Sequence, residues 1–380
     1  MKIGLLLPSS NFIQGVSKDI KVAFERGLEK GKANNVELLL ETGGYNASKP
    51  LVQDKVQSMI LREDVDLILA PLNVGLFKDV NDILKSSDVP LIANWLGEDP
   101  YFEEEMSDYV FSLSLNQWRS AWLGGKYGAE HIGKICQSFA CIHDGGYATT
   151  MGGAIGVESG GGKQVFSGVT HRNARDEDPT EVLNIGLEDK MDFIMAYYSS
   201  KEAVSFLKAC WALGITNDQI IGNSFMAEDD VLKELGDQAV GLKVTSGWNK
   251  DDESNPIAKE FSEWFVANRG KSVSCFGLLA YESGLLLANA LQKVASDKCS
   301  LTEALSAAKV DGPRGAISFC QGPVKDESKE YLLEVAKRED GSLYRKLVQE
   351  LSIPEQYHEH QVAAEKNTRK QGWLNPYLIA

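Results

Sequence analysis

Short apolar runs alternate with longer amphipathic stretches along most of the chain. Ile3 to Leu7, IGLLL, is apolar throughout, as expected of a strand covered on both faces. After a Ser/Asn loop, Ile20, Ala23, Phe24, Gly27 and Leu28 recur at helical spacing. VELLLE predicts the next strand. SKPLVQDKVQSMILRE predicts a helix with Ser48 as its N-cap and Pro50 in its first turn. DLILAP and VPLIAN predict two further strands, separated by a helix around Phe77 to Leu84. Such a rhythm builds a parallel sheet with helices on both faces.

The rhythm then restarts. KICQSFACIH, QVFSGVTH, DFIMAYY and QIIGNS read as strands, and YATTMGGAIGVES, PTEVLNIGLE and KEAVSFLKACWALG as the helices between them. Two α/β units result, from about Met1 to Asn116 and from about Gln117 to Val244, similar in architecture without a sequence repeat. SGWNKDDESNPIAKEFSEWFVANRG begins as a polar crossover and becomes a helix with Pro256 in its first turn. FGLLAYESGLLLANALQKVAS predicts a long buried helix; Glu282 and Ser283 interrupt it too much for a membrane span. GAISFC and YLLEVAK are late strands. The pattern from Ser342 to Ala380 predicts no element.

Length agrees with two domains, since 380 residues exceed what one core usually serves. The 43% hydrophobic and 24% charged content is that of a globular protein. A net charge of −15 argues against nucleic acid and anionic membrane surfaces as partners. The opening MKIGLLLPSS has too short an apolar run for a signal peptide. The chain is then either cytoplasmic or one whose leader has been removed. Cys136, Cys141, Cys210, Cys275, Cys299 and Cys320 form no C-x-x-C pair and read as small buried hydrophobes.

Chemistry is sought next at the glycines of CIHDGGYATTMGGAIGVESGGG. A dinucleotide fingerprint needs G-x-G-x-x-G at the strand-to-helix turn, and a phosphate loop needs a following GK[ST]; neither is present. Gly152, Gly153 and Gly156 instead allow close packing inside the predicted helix, and Gly160 to Gly162 end it. There is no G-x-S-x-G elbow. His143 and Asp144 lack a nucleophile to serve, Glu103 to Glu105 read as a solvated face, and His358 and His360 lie in a polar tail rather than in a metal pattern. No cofactor, metal or catalytic residue is assigned. The loops at the predicted strand ends are richer in binding groups: Ser9, Ser10, Asn11 and Phe12; Asn73 and Gly75; Asn94 and Trp95; Tyr147, Thr149 and Thr150; Tyr197, Tyr198 and Ser199; Asn223, Ser224 and Phe225. Ligands of open α/β sheets bind there, and hydroxyls, amides and rings suit a small polar molecule. Ser and Asn also cap helices, whereas Trp95 and Phe12 serve either the core or a ligand.

Several of these segments together resemble the type I periplasmic binding proteins, in the leucine/isoleucine/valine-binding branch of ABC-transporter solute receptors. The segments are KIGLLLPSS, VDLILAPLNVG, HDGGYATTMGGA, the stretch from SGWNKDDESNP to LLLANAL, and DGPRGAISF. The resemblance runs from about Lys2 to Lys337. It implies an α/β fold of two Rossmann-like lobes, each a doubly wound parallel sheet, joined by a three-segment hinge. The crossings fall near Gln117, Gly247 and Gln321. Residues 1–116 with 248–321 then form the N-terminal lobe, 117–247 with 322–341 the C-terminal lobe, and 342–380 an extension. The implied function is capture of a small molecule between closing lobes for an ABC-transporter permease, in the periplasm, after removal of a leader and without membrane insertion. A ligand-sensing receptor module signalling to a partner is the alternative. A repressor on this fold would carry a basic helix-turn-helix, which this sequence lacks.

The departures from the family bear on the ligand. Its amino-acid binders hold the carboxylate with first-lobe Ser and Thr hydroxyls, absent from PLNVG and ANWLG. The family's amine-binding acid falls near Ser224, and its second-lobe tyrosine is displaced by one to Tyr198 beside Ser199. An ammonium left unpaired in a desolvated cleft costs several kcal/mol. The expected ligand is therefore not a standard branched-chain amino acid, or is one held in a new way. Phe12, Trp95, Phe225 and Phe276 suggest an aromatic or otherwise flat, apolar portion. The expected ligand-binding set is Ser10, Phe12, Asn73, Gly75, Asn94, Trp95, Tyr147, Tyr198, Ser199, Ser224, Phe225 and Phe276.

Overall fold

The computed structural model describes residues 1–10, 13–100, 107–142, 146–320 and 328–368, with the backbone alone at 146–147 and 365–368. β1 (Lys2–Leu7), β2 (Glu37–Thr42), β3 (Leu67–Pro71), β4 (Leu91–Trp95) and β5 (Val110–Ser114) form one sheet in the order β2-β1-β3-β4-β5, all parallel. α1 (Val16–Lys30) lies on one face together with α10 (Cys275–Asp297), around Ile20, Phe24, Leu279 and Leu286. α2 (Lys49–Leu61) and α3 (Phe77–Ser87) cover the other face, around Val56, Met59 and Leu84. α1 and α10 meet at glycines. A Cβ on Gly27 would fall on the carbonyl of Tyr281, and one on Gly284 on that of Phe24.

The second sheet has seven strands in the order β14-β13-β10-β9-β8-β6-β7. β6 (Ile135–Cys141), β7 (Lys163–Thr170), β8 (Phe193–Tyr197), β9 (Ile220–Asn223) and β10 (Lys243–Ser246) are parallel, while β13 (Glu330–Lys337) and β14 (Leu343–Leu351) run antiparallel at one edge. α4 (Gln117–His131) and α5 (Gly146–Ser159) pack as a pair on one face. α6 (Thr180–Gly186), α7 (Ser200–Ala212) and α8 (Asp229–Leu235) lie on the other. The glycines of α5 serve the packing the sequence suggested: a Cβ on Gly156 would strike the carbonyl of Trp122 in α4, and one on Gly125 that of Gly153. α9 (Pro256–Arg269), α10, α11 (Leu301–Ser306) and the hairpin of β11 (Lys309–Gly312) and β12 (Gly315–Ser318) pack with the first sheet.

The chain thus crosses between the sheets after β5, after β10 and between β12 and β13. The first crossing passes Asn116 in left-handed backbone at φ 53°. At the second, a Cβ on Gly247 would lie 2.6 Å from the carbonyl oxygen of Leu115. The third, expected at Gln321, lies in 321–327, outside the described residues. Arg119 and Glu330 pair inside the protein next to these crossings, at 2.9 Å. Ser120 donates to the other oxygen of Glu330 at 2.6 Å, and Asn116 and Arg119 both reach Ser328.

The segment from 342 onward, set apart as an extension from the sequence, is built into the second unit as far as it is described. β14 pairs with β13 over its whole length, and α12 (Glu355–Thr368) lies against α4 and α5. Tyr357 packs against Trp118 and Trp122, with ring centroids 5.6 and 5.5 Å apart. β5, α4, β10, β14 and α12 are elements that the hydrophobic pattern did not yield.

Candidate functional site

Parallel strands end in loops at one edge of each sheet, and at the second sheet these loops surround an interior hollow. Tyr197 closes β8, Asn223 closes β9 and Ser224 follows it, with Thr149 on α5 and Gln117 and Ser120 on α4 opposite. The hollow lacks hydrogen-bond partners for several of its groups. The Tyr197 hydroxyl, Asn223 Oδ1 and Gln117 Nε2 are buried and unpaired. Burial, and then Cys136, push the Tyr197 phenol up, so it is neutral. Unmet buried polar atoms are rare in folded proteins because each costs free energy. Three of them lie around this one hollow.

The loop after β4, from the first unit, is hydrogen-bonded to α4 and α5 beside this hollow. Gln117 donates its amide N–H to Leu96 O at 3.0 Å, Trp118 to Gly97 O at 2.7 Å, and Thr149 its hydroxyl to Glu98 O at 3.1 Å. Two carboxyls meet here, Glu98 buried and Asp99 half-buried. Asn73 Nδ2 donates to Glu98 Oε1 at 2.9 Å and to Asp99 Oδ2 at 3.0 Å, while its Oδ1 accepts from Gly75 N at 2.9 Å. Glu98 Oε2 has no partner. Burial, and then the neighbouring Asp99, raise the Glu98 carboxyl to about 8, and burial raises Asp99 to about 6. Among the described residues neither forms an ion pair. The sequence reading missed Glu98, Asp99 and Gln117. The available signal was two acids before a proline at a predicted strand end, in WLGEDP.

The structure distributes the expected ligand set unevenly. Ser224 lines this hollow and a second one shared with Glu228, Trp248 and Lys250. Asn73 and Gly75 reach the site only by positioning Glu98 and Asp99. Ser10 accepts from the Ile13 amide in its own turn. Tyr198 lies in the core of the second unit, stacked on Phe206 and bonded to Thr170 Oγ1 at 2.9 Å; its neighbour Tyr197 lines the hollow. Successive residues of a strand face opposite sides, which explains the exchange. Ser199 is buried at the N-cap of α7. Trp95 is core, 1% exposed and edge-on to Phe77. Asn94, fully buried, accepts from Ser283 on α10 at 2.9 Å. Phe276 and Phe225 are core residues as well, Phe225 also lining the second hollow. Phe12 and the Tyr147 side chain lie outside the described residues.

Other candidates are structural. His360 accepts from Trp122 Nε1 at 3.3 Å, which holds α12 to α4. His171 is buried between Thr170 and Ser205. The six cysteines form no disulfide, and burial raises the Cys136 thiol to about 12. Among the described residues no group of His, Cys, Asp and Glu could hold a metal ion, and no helix is long and apolar enough to cross a membrane. A surface hollow beside Lys2, Glu37 and Asp66 is at the amino ends of β1 and β2, away from the loops where ligands of such sheets bind.

Comparison with known proteins places this geometry. The sequence matches the family model for periplasmic binding protein over residues 1–328. A search of curated proteins found no match. An ABC transporter substrate-binding protein from Sphaerobacter thermophilus is similar in structure, with a TM-score of 0.78 and 23% identity, over 93% of this chain and 98% of that one. A solute-binding protein of an ABC transporter from Rhodopseudomonas palustris BisB5, in complex with 3,4-dihydroxybenzoic acid, has a TM-score of 0.73 and 20% identity, over 92% and 96%. The branched-chain amino acid transporter substrate-binding protein LivJ from Streptococcus pneumoniae, in complex with isoleucine, has a TM-score of 0.67 and 16% identity, over 92% and 99%. At these identities the structural likeness bears on the fold.

Proposed function

The chain belongs to the periplasmic binding protein family, and from that premise we propose that it is the solute-binding protein of an ABC transporter. It captures a small polar molecule between its two α/β units and hands it, chemically unchanged, to a membrane permease. It works in the periplasm. The units are 1–116 with 248–321 and 117–247 with the chain from 322 onward, and they close by bending at the crossings near Asn116, Gly247 and 321–327.

One observation carries the binding reading: the Tyr197 hydroxyl, Asn223 Oδ1 and Gln117 Nε2 are buried and unpaired around a single hollow at the carboxyl ends of the second sheet. The named neighbours, which bind a benzoate or isoleucine, support a small ligand. The test is Tyr197→Phe. It removes an unsatisfied buried hydroxyl, so the unliganded protein should melt at the same temperature or higher. The hydrogen bond to ligand is lost, so affinity should fall by up to about tenfold. The ligand for this measurement comes from native mass spectrometry of the purified protein and a thermal-shift panel of amines, carboxylates, amino acids and sugars. Unchanged affinity with lowered stability would make Tyr197 a core residue and remove the hollow as the site.

A further inference from the structure

We propose that the ligand carries a cationic, hydrogen-bond-donating group, such as a primary ammonium or an amidinium, and that Glu98 is its counter-ion, positioned by Asn73 and assisted by Asp99. This rests on the binding reading above and names the ligand class of that site.

The geometry favours a cation in two independent ways. Glu98 and Asp99 are held in the loop after β4 by the two bonds from Asn73, and Glu98 Oε2, in a residue only 3% exposed, accepts from nothing. Carboxylates buried without a basic partner are costly. A ligand ammonium brought to Glu98 Oε2 would supply both the missing charge and the missing donor. In the hollow beside α4 and α5, Asn223 Oδ1 is a second buried acceptor with no donor, and Tyr197 adds a hydroxyl. Unmet acceptors at Glu98 and Asn223 match a ligand rich in N–H donors, and Gln117 Nε2 leaves one donor for an acceptor elsewhere on it. An aromatic carboxylate would add another acid beside Glu98 and Asp99, and among the described residues no lysine, arginine or histidine pairs with either carboxyl.

Proton linkage separates this proposal from its opposite, in which a protonated Glu98 donates to a bound anion. The groups facing Glu98 from the packed elements are Asn73 after β3, Gln117 and Trp118 on α4, and Thr149 on α5. None of these titrates near neutrality, so among the described residues Asp99 is its titratable neighbour. Free Glu98, at about 8, is largely protonated at neutral pH. A cation binds the ionised form. Its affinity should therefore rise by up to about tenfold per pH unit as pH approaches 8, level off above it, and release up to about one proton at pH 7. An anion on a protonated Glu98 would bind about equally at every pH below 8 and lose up to about tenfold per pH unit above it.

The experiment is isothermal titration calorimetry on the purified protein at several pH values and in buffers of different ionisation enthalpy. The probes are phenethylamine, 1,4-diaminobutane, agmatine, arginine and leucinamide, against benzoate, 4-hydroxybenzoate, isoleucine and glucose. The expected result is binding by an amine with proton release, weakened about a hundredfold or more by Glu98→Gln. That variant keeps an oxygen for Asn73, and its fold is checked by its unliganded melt. Should it not fold, Asp99→Asn provides the second reading, with a smaller loss and a shifted pH profile. Preference for a carboxylate or sugar, amine affinity that stays flat or falls as pH rises toward 8, or full amine affinity in Glu98→Gln would overturn the proposal and leave the binding reading standing. Silence from every probe, with no copurified ligand in native mass spectrometry, would remove both.

Discussion

Glu98 sits with one oxygen on Asn73 and the other on nothing, and its raised proton affinity acts on folding as well as on binding. Unfolded, a glutamate loses its proton near pH 4.3. Folded, Glu98 keeps it to about 8. Between these values the native state holds the extra proton, so stability is highest at the acid end of the window and falls as pH rises through it. Asp99, raised to about 6, adds to the fall in the lower part. The unliganded protein should lose on the order of 3–4 kcal/mol from Glu98 between pH 5 and pH 8. Urea unfolding at each pH measures this. Glu98→Gln should flatten the profile and be the more stable protein at pH 8; equal slopes in both would mean that water already solvates the carboxyl. Nothing local in WLGEDP announces this burial. It comes from Asn73, Gln117 and Thr149, brought to the loop by the fold. Trp95 was equally undecidable from its neighbours in sequence, and only Phe77 and the sheet make it core.

At the scale of elements, the edge strand β14 and helix α12 bear a larger share of stability than their polar sequence suggests. Arg345 on β14 bonds Asp229 Oδ1 at 2.7 Å, Asp251 Oδ2 at 2.6 Å and the carbonyl of Ala227 at 2.8 Å. Burial works to raise the Asp229 carboxyl, but Lys250 and Arg345 outweigh it and hold the group well below the usual range. Removing one partner of a buried charge pair costs about 3–5 kcal/mol, and losing Tyr357 would also uncover Trp118 and Trp122. A chain ended after Gly341 should thus lose about 5 kcal/mol or more, read by urea unfolding, or fail to stay soluble. A truncated protein melting within about 2 °C of the full chain would show these contacts to be idle. The pattern along the chain revealed β1, β3, β4 and β8 because they are buried on both faces and apolar throughout. It did not reveal α4, which is buried nearly all round with Gln117, Arg119 and Ser120 turned inward, so that no amphipathic period marks it. β14 escaped for the opposite reason: an exposed edge strand carries charges and little core.

For the molecule as a whole, a ligand can drive closure only by the difference in its contacts between open and closed states, so the crossings must bend at little cost. They touch one another. Gly247 lies against the carbonyl of Leu115, and Asn116 and Arg119 hold Ser328 as the third crossing re-enters the second unit. The Arg119–Glu330 pair is buried and fully engaged, which makes it a fixed point rather than a moving part. Movement then falls to the backbone at Asn116 and Gly247. Gly247→Val tests this, because its side chain needs space that the Leu115 carbonyl occupies and pushes the first two crossings apart. Overpacking of this kind costs about 1–3 kcal/mol. Helix and strand content by circular dichroism should be unchanged. Ligand affinity should fall about tenfold or more, and the contraction on ligand binding seen by small-angle scattering should shrink. Gly247→Ala, with less to accommodate, should fall between the two. If the valine variant binds and contracts as the wild type does, the second crossing is a passive tether and the bending lies elsewhere.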